Sequence, residues 1–593
     1  MAFKEFLKKH ENFIGAALLI LVILIVTGIR YDYYFDLNDD VLMKDILSGV
    51  YTGTPEGHNI QMLWLVSAFI SVFYRIIRGL PWYGIFLCVC HYGSLFLVVH
   101  RSLSFCRKWT GKLMLLLAEG VLIMGLFLDH LVSAQYTVTC TLLASAAAFL
   151  FLTTDITLPV KEFLKKNIGT VLLVFLAYLI RSEMLLLVLP LICAAGVIKW
   201  GCEKKIFVKE NFIKYLTVIG AILLGILIGQ VSHRIAYGSD AWRTFTEYFD
   251  NRTELYDFQV LPDYEEHQAF YESVGLTESE RALLDNYNFG LDEEIDEKLL
   301  GDIAEYAAGC RSKEKPFAQR LRNALGNYVR RTLYGPSHNE SDYPWNLAIL
   351  FSYLAVFLTA MSIPGEKPGI RFFRIFWKLG FLGAVRTVLW LWLIMRDRVP
   401  VRISHSMYLM ELSILAALLL LQCRELSEQR QDLIKQLPVL FSILYLLLGV
   451  VILPSSIALT DRDVETKAEN NVRYDALYRY LREQKDSFYF IDVYSSVAYT
   501  EKMFVNVDNS LANYDIMGGW ACKSPLWRKK LSTFGIENME EALTDRNDVY
   551  YVQEKGADTG WLSEYYEDHG DPISLTLVDT VDDSFEIYSV TAQ

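Results

Sequence analysis

The residues best placed to do chemistry lie in one acidic segment near the N-terminus. Asp36, Asp39 and Asp40 fall within five residues of one another, directly after a first long apolar run. Where two carboxylates are held close together, one charge raises the pKa of the other, and a carboxylate with a raised pKa suits a general base. The alternative is a structural role in which Asn38 or Asp39 caps the helix that follows.

The rest of this segment predicts a short helix along the membrane, which Gly49 ends. Its apolar face is formed by Leu42, Met43, Ile46, Leu47 and Val50. Glu56 and His58 close the segment, where they either add a second polar group, bind a metal, or form only a hydrated turn.

Two apolar hairpins bring further polar groups to the same side of the membrane. Asp129, His130 and Gln135 lie at the apex of one, and Arg181 and Glu183 lie at the apex of the next. Ionisable side chains at membrane depth are functional candidates because they are costly to place there. The alternative for the second hairpin is a simple ion pair between its two charged residues.

A cluster of basic residues precedes a late apolar run. Arg396, Arg398 and Arg402 lie within seven residues, and His405 follows them. Positive charge is disfavoured on the outer side of a membrane, so this cluster indicates an anionic partner such as a lipid phosphate. The alternative, for Arg396 and Arg398, is a solvated loop.

The composition of the chain indicates the class of protein to which these residues belong. The chain has 593 residues, of which 53% are hydrophobic and 21% charged, and its mean hydropathy is +0.25. These values exclude an ordinary soluble enzyme and a disordered scaffold, and the net charge of −13 argues against a nucleic-acid partner. Apolar runs of spanning length lie at 13–28, 83–100, 113–128, 137–153, 168–200, 212–231, 345–362, 379–395, 406–422 and 437–456.

The positive-inside rule orients these spans. Basic clusters on the cytoplasmic side are predicted at Lys4/Lys8/Lys9, Arg101/Arg107/Lys108/Lys112, Lys161/Lys165/Lys166, Lys199/Lys204/Lys205, Lys367/Arg371/Arg374/Lys378 and Arg424/Arg430/Lys435. If all of these clusters are cytoplasmic, the chain must cross the membrane an even number of times between neighbouring clusters. The run 168–200 is then a hairpin of two spans, and 59–80 is an interfacial helix and not a span. The prediction is a multi-pass plasma-membrane protein with about eleven spans, a cytoplasmic N-terminus and an extracytoplasmic C-terminus.

Four regions follow from this topology. They are an N-terminal membrane module 1–231 with its first outer loop 31–58, a mainly helical outer loop 232–344, further spans in 345–457, and a small α/β or α+β outer domain 458–593. The two outer regions carry about −23 of the charge, and the remainder carries about +10. Aromatic residues of 232–344 either line a carbohydrate pocket or belong to a plain helical cap.

This order of parts resembles the GT-C superfamily of membrane glycosyltransferases, in the layout of the protein O-mannosyltransferases and the lipid A aminoarabinose transferases. The resemblance covers 10–200 and, more faintly, 396–425. It rests on Asp39-Asp40 at the start of a helix that ends Leu47-Ser48-Gly49, on an interfacial helix from Ile60, and on Arg398-Val399-Pro400-Val401-Arg402. This chain departs from the family in having Asp39-Asp40 for the common Asp-Glu and Gly57-His58-Asn59 for Lys-Pro-Pro.

The resemblance implies an inverting transfer of a sugar from a polyprenyl-phosphate donor to a cell-envelope glycan, lipid or protein. Asp39 would be the general base, with Asp40 as the alternative, and Arg402 and Arg181 would hold the phosphate. The other candidates for contacts to the substrates are Glu183, Asp129, His130, Gln135, Glu56, His58, His405 and Arg398. No cofactor is required, although a divalent cation beside Asp39 and Asp40 is compatible with this chemistry.

Two other functions fit the same features. A flippase or transporter of a lipid-linked glycan would also need outer-face arginines and a cavity, but it would not need the Asp39 carboxylate. A non-catalytic scaffold of envelope assembly would use only the two outer regions.

Overall fold

A computed structural model describes residues 9–314, 316–339, 341–364, 367–429, 437–505 and 509–593. Ten helices in these ranges are long and apolar enough to cross a membrane. They are Glu11–Arg30, Trp82–Leu103, Trp109–Val132, Tyr136–Thr153, Ser182–Trp200, Lys209–Ala236, Trp345–Ser362, Pro368–Ile394, Val401–Gln429 and Leu437–Glu483. The bent pair Val160–Lys166 and Ile168–Ile180 makes an eleventh candidate, with 49° between its parts. The predicted number of spans is confirmed.

Arg181 lies at the break of the predicted hairpin, between Ile168–Ile180 and Ser182–Trp200, with extended backbone angles. The segment 59–80 contains only the 13-residue helix Trp64–Ile76, which is too short to span, as predicted. The predicted cytoplasmic residues Lys4, Lys8, Arg430 and Lys435 lie outside the described residues. The orientation of the bundle stays a prediction.

The bundle is built around the helix Tyr136–Thr153, which is almost entirely buried. It packs against Val401–Gln429, and Trp109–Val132 packs along the last helix, Leu437–Glu483. Peripheral helices instead expose apolar side chains: Leu223, Leu224 and Leu227 on Lys209–Ala236 are each 58% exposed. Exposed leucines in such a row are expected where a helix faces lipid.

The predicted helix of the first outer loop runs from Asn38 to Ser48, and we call it the aspartate helix. It ends as predicted at Gly49, whose φ of 92° suits a residue without a Cβ. The predicted cap was wrong: the residue at the N-cap is Leu37, which has no side-chain acceptor. Neither Asn38 nor Asp39 caps the helix, so the aspartates are left for other contacts.

The aspartate helix is buried on its polar side as well as its apolar side. Met43, Ile46 and Leu47 are fully buried, as their spacing predicts, and Lys44 is only 7% exposed. Lys44 Nζ lies 2.5 Å from Glu501 Oε2 and 2.7 Å from Asp45 Oδ1. Glu501 belongs to the C-terminal region, so this region covers the polar face of the aspartate helix. A helix that lay alone on a membrane would instead have its polar face in water.

The outer loop is helical, as predicted, and we call residues 240–333 the loop domain. Its elements are Asp240–Thr253, the π-helix Glu254–Phe258, Tyr264–Val274, Glu278–Asp285, Glu297–Glu314 and Phe317–Leu333.

The C-terminal domain, residues 484–593, is a five-stranded mixed sheet with helices. Two short strands, β1 (Tyr34–Phe35) and β2 (Ser133–Ala134), precede it in the chain. Its own strands are β3 (Phe488–Ile491), β4 (Tyr514–Ile516), β5 (Val549–Glu554), β6 (Ile573–Val581) and β7 (Phe585–Ala592), in the order β4-β3-β5-β7-β6. β3 is parallel to β4 and β5, whereas β7 is antiparallel to β5 and β6. Helices Pro525–Thr533, Met539–Asp545 and Gly560–Asp568 complete it. Strands β6 and β7 form a terminal hairpin, and its turn residues Asp582 and Asp583 have φ of 49° and 50°, which suits a tight hairpin turn.

Candidate active site

A two-residue pairing holds the first outer loop against the bundle. Strand β1 (Tyr34–Phe35) lies parallel to β2 (Ser133–Ala134), which directly precedes the central helix. Asp36 N–H donates to Ala134 O at 2.9 Å and so extends this pairing. The aspartate helix therefore begins beside Tyr136, the first residue of Tyr136–Thr153.

Asp40 points into the protein. Its carboxylate is fully buried and accepts a hydrogen bond of 2.7 Å from the Tyr83 hydroxyl. Burial raises the pKa of Asp40 well above its usual range, and the charges of Asp39 and Asp36 raise it further, against the lowering effect of the Tyr83 hydrogen bond. Asp40 is not among the residues that line the cavity beside Asp39, so it stays the alternative to Asp39 as the predicted base.

Replacement of Asp40 by Asn is expected to stabilise the fold at pH 8 and to do so less at pH 5. Because the pKa is raised in the folded state, Asp40 favours folding below its unfolded pKa, and that contribution is lost as pH rises through the folded pKa. The amide has no such loss, and its oxygen can still accept from Tyr83. Thermal unfolding in detergent should show a rise of a few degrees at pH 8.

The exposed Asp568 offers the matched control, since its replacement by Asn removes one carboxylate without changing a buried group. A pH-independent effect of Asp40→Asn, or the same effect from both substitutions, would contradict the assignment of a buried charge to Asp40.

Asp39 faces an open space instead. It is half-buried, and Trp520 Nε1–H donates to its Oδ1 at 3.0 Å. It lines a cavity of about 240 Å³ between the aspartate helix, the loop domain and the C-terminal domain. Six aromatic side chains contribute to the wall, namely Tyr51, Tyr287, Tyr478, Tyr499, Tyr514 and Trp520. Flat aromatic faces beside a carboxylate suit a carbohydrate ring whose hydroxyl is to be deprotonated.

Two arginines of the bundle lie within electrostatic reach of Tyr136, and one of them, Arg181, is also within reach of Asp39. Arg181 hydrogen-bonds to Gln61 Oε1, lies over the Tyr136 ring at 5.1 Å, and pairs with Glu183 at 3.3 Å. The predicted pair is therefore present, but Glu183 is largely exposed and leaves the other edge of the guanidinium available.

Arg402 completes this group. It is half-buried and makes no hydrogen bond or ion pair with any residue in the described ranges. The Tyr136 phenol lies within electrostatic reach of Asp39, Asp40, Arg181 and Arg402. The structure thus brings these four predicted residues together around one tyrosine.

A second polar group lies next to the first. His130 Nε2 is 2.9 Å from His405 Nδ1, and the His405 ring stacks on Trp345 with 4.9 Å between centroids. Asp129 lies within electrostatic reach of Asp36 and Lys467. The two histidines are therefore partners of each other.

The remaining predicted residues have structural partners. Gln135 caps the central helix through Thr137 N–H and Val138 N–H, at 2.7 and 3.2 Å. Arg398 pairs with Asp257 of the loop domain at 2.7 Å. Glu56 pairs with Lys529 at 2.6 Å, and His58 stacks on Trp242 at 5.1 Å. These contacts join the first loop and the late loop to the outer domains.

The structure adds site residues that the sequence did not single out as such. Tyr83 and Trp520 hold the two aspartates, and Tyr136 and Gln61 contact Arg181. Trp520 follows the pair Gly518-Gly519, which marks a tight turn, but no local pattern indicates that it reaches Asp39. A divalent cation beside Asp39 and Asp40 stays a prediction.

Comparisons with known proteins find similarity in structure alone. No protein-family model and no curated protein sequence matches the chain. Two solved structures match, of ArnT from Cupriavidus metallidurans bound to undecaprenyl phosphate and in the apo state, each at 11% identity with a TM-score of 0.34. The alignments cover 96% of this chain and 97% of ArnT. ArnT is a lipid A aminoarabinose transferase of the GT-C type, the group that the sequence was found to resemble. Because the superposition is loose, no residue role is transferred from it.

Proposed function

We propose that the protein is a membrane glycosyltransferase that moves a sugar from a polyprenyl-phosphate donor to a hydroxyl group of a cell-envelope glycan, lipid or protein. The observation that carries the proposal is the grouping of a half-buried carboxylate, Asp39, with Arg181 and Arg402 around Tyr136. A base and a pair of cations within reach of each other are what such a displacement requires.

The reaction is a single displacement at the anomeric carbon, which inverts its configuration. The acceptor oxygen attacks this carbon while Asp39 takes the hydroxyl proton, and the bond from carbon to the phosphate oxygen breaks. The departing lipid phosphate carries the electron pair as an anion, so it needs positive charge more than it needs a proton. Arg402, which has no competing partner among the described residues, and Arg181 supply this charge.

The two substrates reach the site from different sides. The acceptor enters through the aromatic cavity in front of Asp39, and the donor enters from the bundle, where its lipid tail stays in the membrane. In this proposal the two outer domains lie on the extracytoplasmic face and the N-terminus lies in the cytoplasm, which is the orientation that the basic clusters predict.

Replacement of Arg402 by Ala is expected to lower sugar transfer by about 10²-fold or more, because one of the two charges that stabilise the leaving phosphate is lost. Arg402→Lys should retain part of the activity, since it keeps the charge but not the planar fork. The measurement is the initial rate of transfer from polyprenyl-phosphate-linked sugars by purified protein.

Arg396→Ala is the matched control, because Arg396 is exposed in the segment just before the helix that contains Arg402. Its guanidinium lies over two aromatic rings, 4.5 Å from the Trp392 centroid and 5.6 Å from the Phe258 centroid. Wild-type transfer by folded Arg402→Ala would remove Arg402 from the site. Transport of an intact lipid-linked glycan, without transfer of its sugar, would favour the flippase hypothesis.

A further inference from the structure

Three side chains from two domains converge outside the cavity that Asp39 lines. Glu280 belongs to the helix Glu278–Asp285 of the loop domain, and Asp292 lies in the segment after it. His569 follows the helix Gly560–Asp568 of the C-terminal domain. One ligand atom of each lies within 4.8 Å of the other two, and His569 Nε2 is 3.4 Å from Glu280 Oε1.

Each of the three residues is oriented by a hydrogen bond to the backbone. Glu280 Oε2 accepts from Thr277 N–H at 2.6 Å, and Asp292 Oδ1 accepts from Glu294 N–H at 2.7 Å. His569 Nδ1 lies 2.8 Å from Tyr565 O, so Nδ1–H donates and Nε2 is the ring nitrogen that faces Glu280 Oε1. Metal ligands in proteins are commonly oriented in this way: one atom of the side chain makes a hydrogen bond, and another atom of the same side chain binds the metal.

One of the carboxylate oxygens has no partner. Asp292 is 3% exposed, yet its Oδ2 accepts no hydrogen bond from the residues that the structure describes. Lys523 Nζ is close by, but it donates to the main-chain oxygens of Asp292 and Ile295. Leaving a buried carboxylate oxygen unpaired is costly, and a bound cation would remove that cost.

The cluster also has an entrance. Two of the three residues, Glu280 and Asp292, line a pocket of about 290 Å³, whose wall also carries Glu294, Asp296 and Asp302 against one lysine, Lys298. Carboxylates around a concave entrance raise the local concentration of cations.

We propose that Glu280, Asp292 and His569 bind a divalent transition-metal ion of the Zn²⁺ class, which links the loop domain to the C-terminal domain. One imidazole with two carboxylates suits Zn²⁺, whereas Ca²⁺ and Mg²⁺ prefer oxygen ligands alone. The ion has a structural role, because the two domains that it joins also form the cavity in front of Asp39, with Tyr287 on one side and Trp520 on the other.

The test uses the full-length protein in detergent, stripped with a chelator and titrated with Zn²⁺ alone against a chromophoric competitor. The wild type is expected to bind one more equivalent of Zn²⁺ than Asp292→Asn or His569→Gln, or to bind it at least about tenfold more tightly. Zn²⁺ should raise the unfolding temperature of the wild type but not of these variants. His267→Gln is the matched control, because His267 is a loop-domain histidine bonded instead to Tyr306 at 3.0 Å.

Equal Zn²⁺ binding by the wild type and either folded variant would overturn the proposal. If neither variant folds, anomalous scattering at the zinc edge from wild-type crystals decides it, and no peak between the three side chains would be the contrary result. Stabilisation by Ca²⁺ in place of Zn²⁺ would overturn the transition-metal assignment. None of these measurements depends on sugar transfer.

Discussion

Replacement of Asp39 by Asn is expected to lower sugar transfer by about 10³-fold while the protein stays folded. General-base catalysis contributes about 10²- to 10⁴-fold, and an amide cannot accept the proton of the acceptor hydroxyl. The amide oxygen can still accept the hydrogen bond from Trp520 Nε1, so the local structure is kept. The measurement is the initial rate of transfer at saturating donor, with thermal unfolding as the check on folding.

Asp32→Asn provides the control in the same loop, since Asp32 is exposed and lines no cavity that contains Asp39. Its transfer rate should stay within about twofold of the wild type. Asp39→Glu keeps a base in a longer side chain and should retain more activity than Asp39→Asn. Wild-type transfer by folded Asp39→Asn would refute the role of Asp39 as the base.

Replacement of Lys44 by Ala is expected to destabilise the protein by about 3–5 kcal/mol, the usual cost of removing one partner of a buried ion pair. The Lys44 and Glu501 side chains are 8% and 18% exposed, and Asp45 shares the same ammonium group. Burial raises the pKa of Glu501, and the nearby Lys44 charge lowers it. Without Lys44, two carboxylates would remain close together in a buried place.

Unfolding in denaturant and limited proteolysis would both report this change, because the pair joins the aspartate helix to the C-terminal domain. Lys502→Ala is the matched control: Lys502 pairs with Asp32 at 2.7 Å, but the two side chains are 46% and 63% exposed. An exposed pair contributes at most about 1 kcal/mol. Equal losses from the two substitutions would mean that burial of the Lys44 pair has no energetic effect.

The membrane bundle could be predicted because a bilayer requires long apolar helices, and few other structures produce such runs. Element boundaries were harder to predict. The predicted run 437–456 is only the first part of one long helix, Leu437–Glu483, which continues through Pro454. Strand β4 has only three residues, too few for an alternating pattern.

The site was predictable where neighbours in sequence carry the chemistry. Asp39 with Asp40 was visible as a local pattern, and Arg402 was visible because a basic outer cluster is unusual. The sequence could not predict that Trp520 contacts Asp39, because that contact joins residues 481 positions apart. Glu56 and His58 also look suited to chemistry, but their contacts with Lys529 and Trp242 depend on how the outer domains pack.

The helix Leu437–Glu483 has a mechanical consequence. Its 47 residues span about 70 Å, from the membrane to the first strand of the C-terminal domain, without an interruption. Contacts with the first outer loop hold its middle, where Lys467 pairs with Asp36 at 3.4 Å. The last membrane helix and the outer sheet therefore behave as one lever. Helices tilt to match the thickness of the bilayer. With Lys467 held against Asp36, the part of the helix beyond it is about 24 Å long, so a change of about 5° in tilt would displace its end by about 2 Å, on the side of the cavity that carries Trp520.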